Sequence, residues 1–142
     1  MDLLGADAVL ASNALAGKTA LICGASRGIG ASTARIMAAA GANVIASARN
    51  QDQLNHLVEE LQTLGGGNHQ SLVMDLEDTN GISSKINTIL EGNPIHILVN
   101  NAAGPPGGPL LNSTVEELTQ PFVILLHSSH TLFQLLAPSM EP

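Results

Sequence analysis

The stretch that most constrains this chain is Thr19-Ala20-Leu21-Ile22-Cys23-Gly24-Ala25-Ser26-Arg27-Gly28-Ile29-Gly30. An apolar run of strand type meets three glycines. Ile29 to Ala40 then reads as a helix, with Ile29, Ala34, Ile36, Met37 and Ala40 at helical spacing and Gly41 as its stop. The turn between them presents backbone N–H groups at a helix N-terminus, a geometry that binds phosphate. The glycines at 24, 28 and 30 are spaced G-x-x-x-G-x-G, not G-x-G-x-x-G, so the strand–turn–helix context carries the reading more than the spacing does.

The alternation continues along the chain. Asn43 to Ala48 is a second strand, and Asn50 with Gln53 has capping-box spacing ahead of Leu54, Leu57, Val58, Leu61 and Leu64, a helix ended by Gly65-Gly66-Gly67. Ser71 to Met74 is a third strand and Ile95 to Val99 a fourth. Between them Thr79 to Leu90 is a helix with Ile82, Ile86 and Ile89 inward. Strands apolar on both faces, each followed by a helix, imply an α/β fold: a doubly wound parallel sheet, incomplete, of about four strands with flanking helices. Gly104-Pro105-Pro106-Gly107-Gly108-Pro109 must be a loop, and it follows the carboxyl end of the fourth strand, the edge where such sheets bind ligands.

Ser113 and Glu116 have capping-box spacing and open a last helical segment, Thr114 to Ala137, that kinks or restarts at Pro121 and closes at Pro138. Leu118, Phe122, Leu125, Ser129, Leu132, Phe133 and Leu136 fall on one face. Val123, Ile124 and Leu126 make the opposite face apolar as well. A helix apolar all round is covered on both sides. The expectation is contact with the sheet on one side and with another subunit or further chain on the other, hence a possible homo-oligomer through the 114–137 helix. The fourth strand would be an open apolar edge, which favours self-association or instability.

Composition excludes several classes of function. Twelve acidic against five basic residues give a net charge of −7, the wrong sign for a nucleic-acid partner. No apolar run approaches the ~18 residues that span a bilayer, so no membrane is expected. Cys23 is the single cysteine, so no intramolecular disulfide is possible, and a cytoplasmic location is the default expectation. Met1 to Ala16 lacks Lys and Arg and fits neither a secretory nor a transit peptide. Residues 1–14 read as a loose N-terminal tail and 15–142 as one domain.

In a dinucleotide site an acidic residue about 20 positions after the glycines accepts from the adenosine 2′-hydroxyl. The end of the second strand here reads Ala46-Ser47-Ala48-Arg49-Asn50, without a carboxylate. Arg49 and Arg27 would instead offer two planar, forked guanidinium groups to a 2′-phosphate. This points to NADP(H) over NAD(H).

Leu15 to Gly30 resembles the opening of a short-chain dehydrogenase/reductase, with Cys23 where that family usually has Thr. Met74-Asp75-Leu76 resembles the family segment whose Asp meets the adenine ring. Leu98-Val99-Asn100-Asn101-Ala102-Ala103-Gly104 resembles its Asn-Asn-Ala-Gly signature, with Ala103 in place of a Gly. The resemblance runs from Leu15 to Met140 and implies a Rossmann-type dinucleotide-binding domain. It also implies that Gly24, Ser26, Arg27, Gly28, Ile29 and Gly30 hold the pyrophosphate and adenosine side and Arg49 the 2′-phosphate. Asp75 and Leu76 would hold the adenine, and Asn101, Ala102 and Ala103 the ribose near the nicotinamide.

In the family a Tyr is the acid or base on a small-molecule carbonyl or alcohol, a Lys lowers its pKa, a Ser polarises the substrate oxygen and an Asn in the long helix holds a relay water. This chain has no tyrosine, and the Ser and Tyr-x-x-x-Lys motif would lie beyond Pro142. The relay Asn aligns with Leu125, which cannot hold a water. No catalytic residue is therefore assigned. The expectation is the cofactor-binding half of an NADP(H)-dependent short-chain oxidoreductase, truncated or encoded as a fragment and inactive alone. The alternatives are a non-catalytic NADP(H)-binding module or a non-functional fragment.

Other candidates are weaker. His127 and His130 lie one helical turn apart but lack a third ligand nearby in sequence, so no metal is expected. Ser128 and Ser129 beside them do not face them on a helix. His56, His69 and His96 read as surface or strand-edge residues, and Cys23 as an inert core thiol.

Overall fold

A computed structural model of the chain describes residues 11–92, 94–102, 104 and 108–140. Four short parallel strands form one sheet in the order β3-β2-β1-β4, where β1 is Thr19–Ile22, β2 Asn43–Ala48, β3 Gln70–Val73 and β4 Ile97–Val99. Leu21 is in register with Ile45 on one side and Leu98 on the other. The chain therefore adds strands outward from β1 to β3, then crosses back to place β4 on the other side of β1. This is the reversal of a doubly wound sheet, and the crevice it opens lies at the carboxyl ends of β1 and β4.

Alternation along β1 and β2 sends side chains to two separate cores. Ala20, Ile22, Val44 and Ala46 face helices α1 (Gly28–Ala39) and α2 (Gln51–Leu64), where Ala31, Ala34, Ala38, Leu54, Leu57 and Leu61 are buried. Small residues in β1 and α1 let that helix lie close to the sheet. Leu21, Cys23 and Ile45 face the other way. They pack with Ile82 and Ile86 of α3 (Thr79–Leu90) and Leu132 and Leu136 of α5 (Ser128–Met140). Arg35 of α1 grips Glu60 of α2 through paired hydrogen bonds of 2.8 Å, which raises the Arg35 pKa and lowers that of Glu60.

Helix starts follow side-chain caps. The Asn50 carboxamide oxygen accepts from Gln53 N, and Asp78 accepts from Gly81 N. In the last segment the capping box is Thr114 with Glu117, one residue later than the Ser113–Glu116 pair expected from spacing. Both pairs satisfy the pattern, and the Thr114 backbone is extended, as an N-cap requires.

The segment 114–137 differs from expectation in two further ways. It runs as α4 (Val115–Phe122), a π-helical turn (Val123–His127) and then α5, and neither Pro121 nor Pro138 ends a helix. A π turn inserts an extra residue, so the apolar face aligned by regular helical spacing is split. Leu132 and Leu136 are buried against the sheet, whereas Leu118, Phe122, Leu125 and Phe133 are exposed, Phe122 at 66% and Phe133 at 60%. The Ser128 hydroxyl donates to the Ile124 carbonyl and draws Ser128 into the buried face.

Residues 12–17 form turns, and Leu15 N donates to the Ala40 carbonyl at 2.9 Å. His69 is not a surface residue. It is 5% exposed, and its Nδ1 accepts from Val44 N at 3.3 Å. His96 does sit at the strand edge, its Nδ1 accepting from Thr19 N at 3.0 Å. Among the described residues no helix is long and apolar enough to cross a membrane.

Candidate functional site

At the carboxyl end of the sheet lies a cleft of about 750 Å³. Its floor is the glycine turn. Cys23 N donates to the Val99 carbonyl at 3.0 Å and Ala25 N to the Ser47 carbonyl at 2.9 Å, so the turn leaves β1 anchored to both neighbouring strands. Gly24 and Gly28 have φ of +61° and +58°, the left-handed region that glycine enters without a Cβ penalty. Gly24, Ser26, Arg27, Gly28 and Ile29 all line the cleft.

Helix α1 begins at Gly28 with Arg27 as its N-cap, and it differs from α2, α3 and α4. Those three carry a side-chain cap, whereas α1 has neither a side-chain cap bond nor an acidic residue in its first turn. Its first amide groups are donors left without a side-chain acceptor, at the positive end of the helix dipole and beside the cleft. A Cβ at Gly28 would meet nothing within 4 Å, so the backbone there stands open to the cleft. These features fit an anionic group such as a pyrophosphate.

Gly30 plays a different part from the one expected. It is buried, does not line the cleft, and a Cβ there would overlap the Gly24 carbonyl oxygen. Its service is close packing of helix on turn. Asn101 lines the cleft and also staples it, its Nδ2 donating to the carbonyls of Cys23 at 3.2 Å and Gly24 at 3.4 Å. Ala102 lines the cleft beside it, while Ala103 lies outside the described residues.

The second and third strands supply the far wall. Arg49 lines the cleft with its side chain 68% exposed, and Asp75 and Leu76 line it from the turn after β3. Asp75 Oδ1 accepts from Glu77 N at 3.0 Å, which fixes that turn. Of the five basic residues, Arg35 is held by Glu60 and Lys85 reaches the Val73 carbonyl. Arg27 and Arg49 are the basic residues that line the cleft. The sequence-predicted residues thus come together, except for Gly30 behind the turn and the undescribed Ala103.

Sequence reasoning missed the third wall. Gln120, Pro121 and Ile124 line the cleft from α4 and the π turn, and Gln120 Nε2 donates to Glu77 Oε1 at 3.0 Å across it. No periodic signal marks Gln120, which lies in α4 and meets Glu77 43 positions away in sequence. Glu77 had a signal in its position directly after Asp75-Leu76. In the turn itself Ile124 lines the cleft, and Leu125, aligned with the relay Asn, is exposed instead. Burial pushes the Cys23 thiol up to about 12, so it stays a thiol although it touches the cleft. His127 and His130 are exposed, and among the described residues no group of three or more His, Cys, Asp or Glu side chains is arranged to hold a metal.

The strand order and the glycine turn at its reversal define a doubly wound, dinucleotide-binding type of α/β protein. A family model described as short chain dehydrogenase matches residues 18–142, and the chain belongs to that family. It is 37% identical over 131 residues to a 7alpha-hydroxysteroid dehydrogenase of Escherichia coli, an alignment covering 89% of this chain and 49% of that protein. A metagenomic short-chain oxidoreductase solved in complex with NADP superposes with a TM-score of 0.81 at 34% identity, covering 89% of this chain and 57% of the other. The L-sorbose reductase of Gluconobacter frateurii, solved with NADPH and L-sorbose, gives a TM-score of 0.84 at 25% identity, covering 92% and 50%. The chain spans about half the length of the curated relatives it matches.

Proposed function

We propose that residues 15–142 are the NADP(H)-binding part of a short-chain oxidoreductase acting on a small-molecule carbonyl or alcohol. The single observation that carries this reading is the uncapped N-terminus of α1, which opens onto a cleft whose lining cations are Arg27 and Arg49. The amides of Gly28 and Ile29 hold the pyrophosphate, and the two guanidinium groups hold the 2′-phosphate. Leu76 packs against the adenine and Asp75 accepts from it, while Asn101 and Ala102 meet the ribose near the nicotinamide. The cofactor, when bound, supplies hydride chemistry; this chain's residues bind and orient it. Two relatives of known structure were solved with NADP or NADPH, which supports the choice of cofactor.

The 142 residues hold no tyrosine, so the family's acid–base role has no occupant among them. The exposed Leu118, Phe122, Leu126 and Phe133 support a homo-oligomer through the last helical segment, and the single cysteine suits a reducing compartment such as the cytoplasm. Titration of the chain with NADPH and NADH, followed by cofactor fluorescence, tests the binding. Tighter binding of NADPH is expected, and binding of neither overturns it. Oxidation of NADPH by the chain with a panel of ketones and aldehydes would overturn the reading of a chain inactive on its own.

A further inference from the structure

The second strand ends without a carboxylate, but the fold brings one to the same place from elsewhere. Glu77, in the turn after β3, has its Oε1 3.8 Å from Arg49 Nη1, and that same oxygen accepts from Gln120 Nε2 at 3.0 Å. All three side chains belong to residues lining the cleft. A separation of 3.8 Å is too long for a hydrogen bond, and among the described residues no hydrogen bond uses an Arg49 side-chain donor. With side chains 68% and 39% exposed, the pair adds little to stability. Its effect falls on what approaches Arg49.

We propose that Glu77 is a specificity-determining residue that weakens the hold on a 2′-phosphate and so narrows the preference for NADP(H) over NAD(H). The inference rests on the reading above, in which Arg49 meets that phosphate. A 2′-phosphate carries a charge of about −1.5 to −2 near neutral pH. It reaches a guanidinium that already faces a fixed carboxylate, one that Gln120 holds in place. A 2′-hydroxyl carries no charge, meets no such opposition and finds in Glu77 an acceptor. Arg49 draws the phosphorylated ribose in, and Glu77 offsets part of that attraction.

Calorimetric titration of the full 142-residue chain with 2′,5′-ADP and with 5′-AMP tests this. Glu77→Gln keeps a carbonyl oxygen for Gln120 and removes only the charge. It is expected to tighten 2′,5′-ADP about fivefold at low salt, the scale of one like-charge contact in a solvated site. The affinity for 5′-AMP stays within about twofold, and the gain fades as salt is raised. Glu77→Ala, which also cuts the tether to Gln120, gives the same gain. Wild-type chain that does not bind 2′,5′-ADP overturns the cofactor reading and this inference together. Wild-type binding with no gain in Glu77→Gln, an equal gain for both nucleotides, or a gain only in Glu77→Ala overturns this inference alone.

Discussion

A Cβ on Gly24 would stand 2.6 Å from the backbone oxygen of Asn101, and the Asn101 side-chain amide donates to the Gly24 carbonyl at 3.4 Å. Asn101, two residues past β4, is thus fitted against a bare backbone at the end of β1. The contact joins the two strands between which the sheet reverses, at the floor of the cleft.

Asn101→Ala removes both donations and leaves the Cys23 and Gly24 carbonyls short of a partner. A stability loss of about 1–2 kcal/mol is expected, with weaker NADPH binding. Urea unfolding and NADPH titration of the same samples check it.

The three glycines separate by stability and binding. Gly28→Ala has open space but a φ of +58°, so it costs about 1–2 kcal/mol in backbone strain and obstructs the cleft. Gly30→Ala meets the Gly24 carbonyl and Gly24→Ala meets Asn101, so both unfold at lower urea than Gly28→Ala. Urea midpoints that rank Gly28→Ala as the least stable of the three contradict this packing.

Arg27→Gln and Arg49→Gln are each expected to weaken 2′,5′-ADP about tenfold, the scale of one hydrogen bond to a charged group. Binding of 5′-AMP changes little. Equal losses for the two nucleotides would place these arginines on the pyrophosphate instead.

His69 gives a pH dependence to stability. Burial holds its pKa below the usual value, because desolvation penalises the charged ring more than the hydrogen bond to the Gly65 backbone favours it. The unfolded chain therefore binds a proton at higher pH than the folded one. Its contribution is fully present above about pH 6.5 and is lost as pH falls from there to the lowered folded value, below which the curve levels. Urea midpoints at pH 8 and pH 5.5 are expected to differ more in the wild type than in His69→Gln.

The order of strands and helices was legible because each element has a local cause: the apolar runs at β1 and β2, the Asn50 cap, the glycines after them. The glycine turn and Arg49 were legible for the same reason, as they lie within the first βαβ unit. What escaped depends on contacts between distant parts. Val44 N takes His69 as its acceptor 25 positions on, so a histidine that reads as surface or strand-edge is buried. Ser113 and Thr114 offer equivalent caps one residue apart in sequence, and the structure uses Thr114. The π turn at Val123–His127 has no signature in hydrophobic spacing, and within it Ile124, not Leu125, meets the cleft.

The bare start of α1 has a consequence for motion. With no side chain closing its first turn, the amide protons there are expected to exchange with solvent deuterium sooner than those at the capped starts of α2 and α3. An anion seated on them would slow that exchange locally while raising the melting temperature of the whole, by linkage to the folded state. On the proposed reading the cofactor would be the missing cap of α1, with ligand and helix sharing one set of donors.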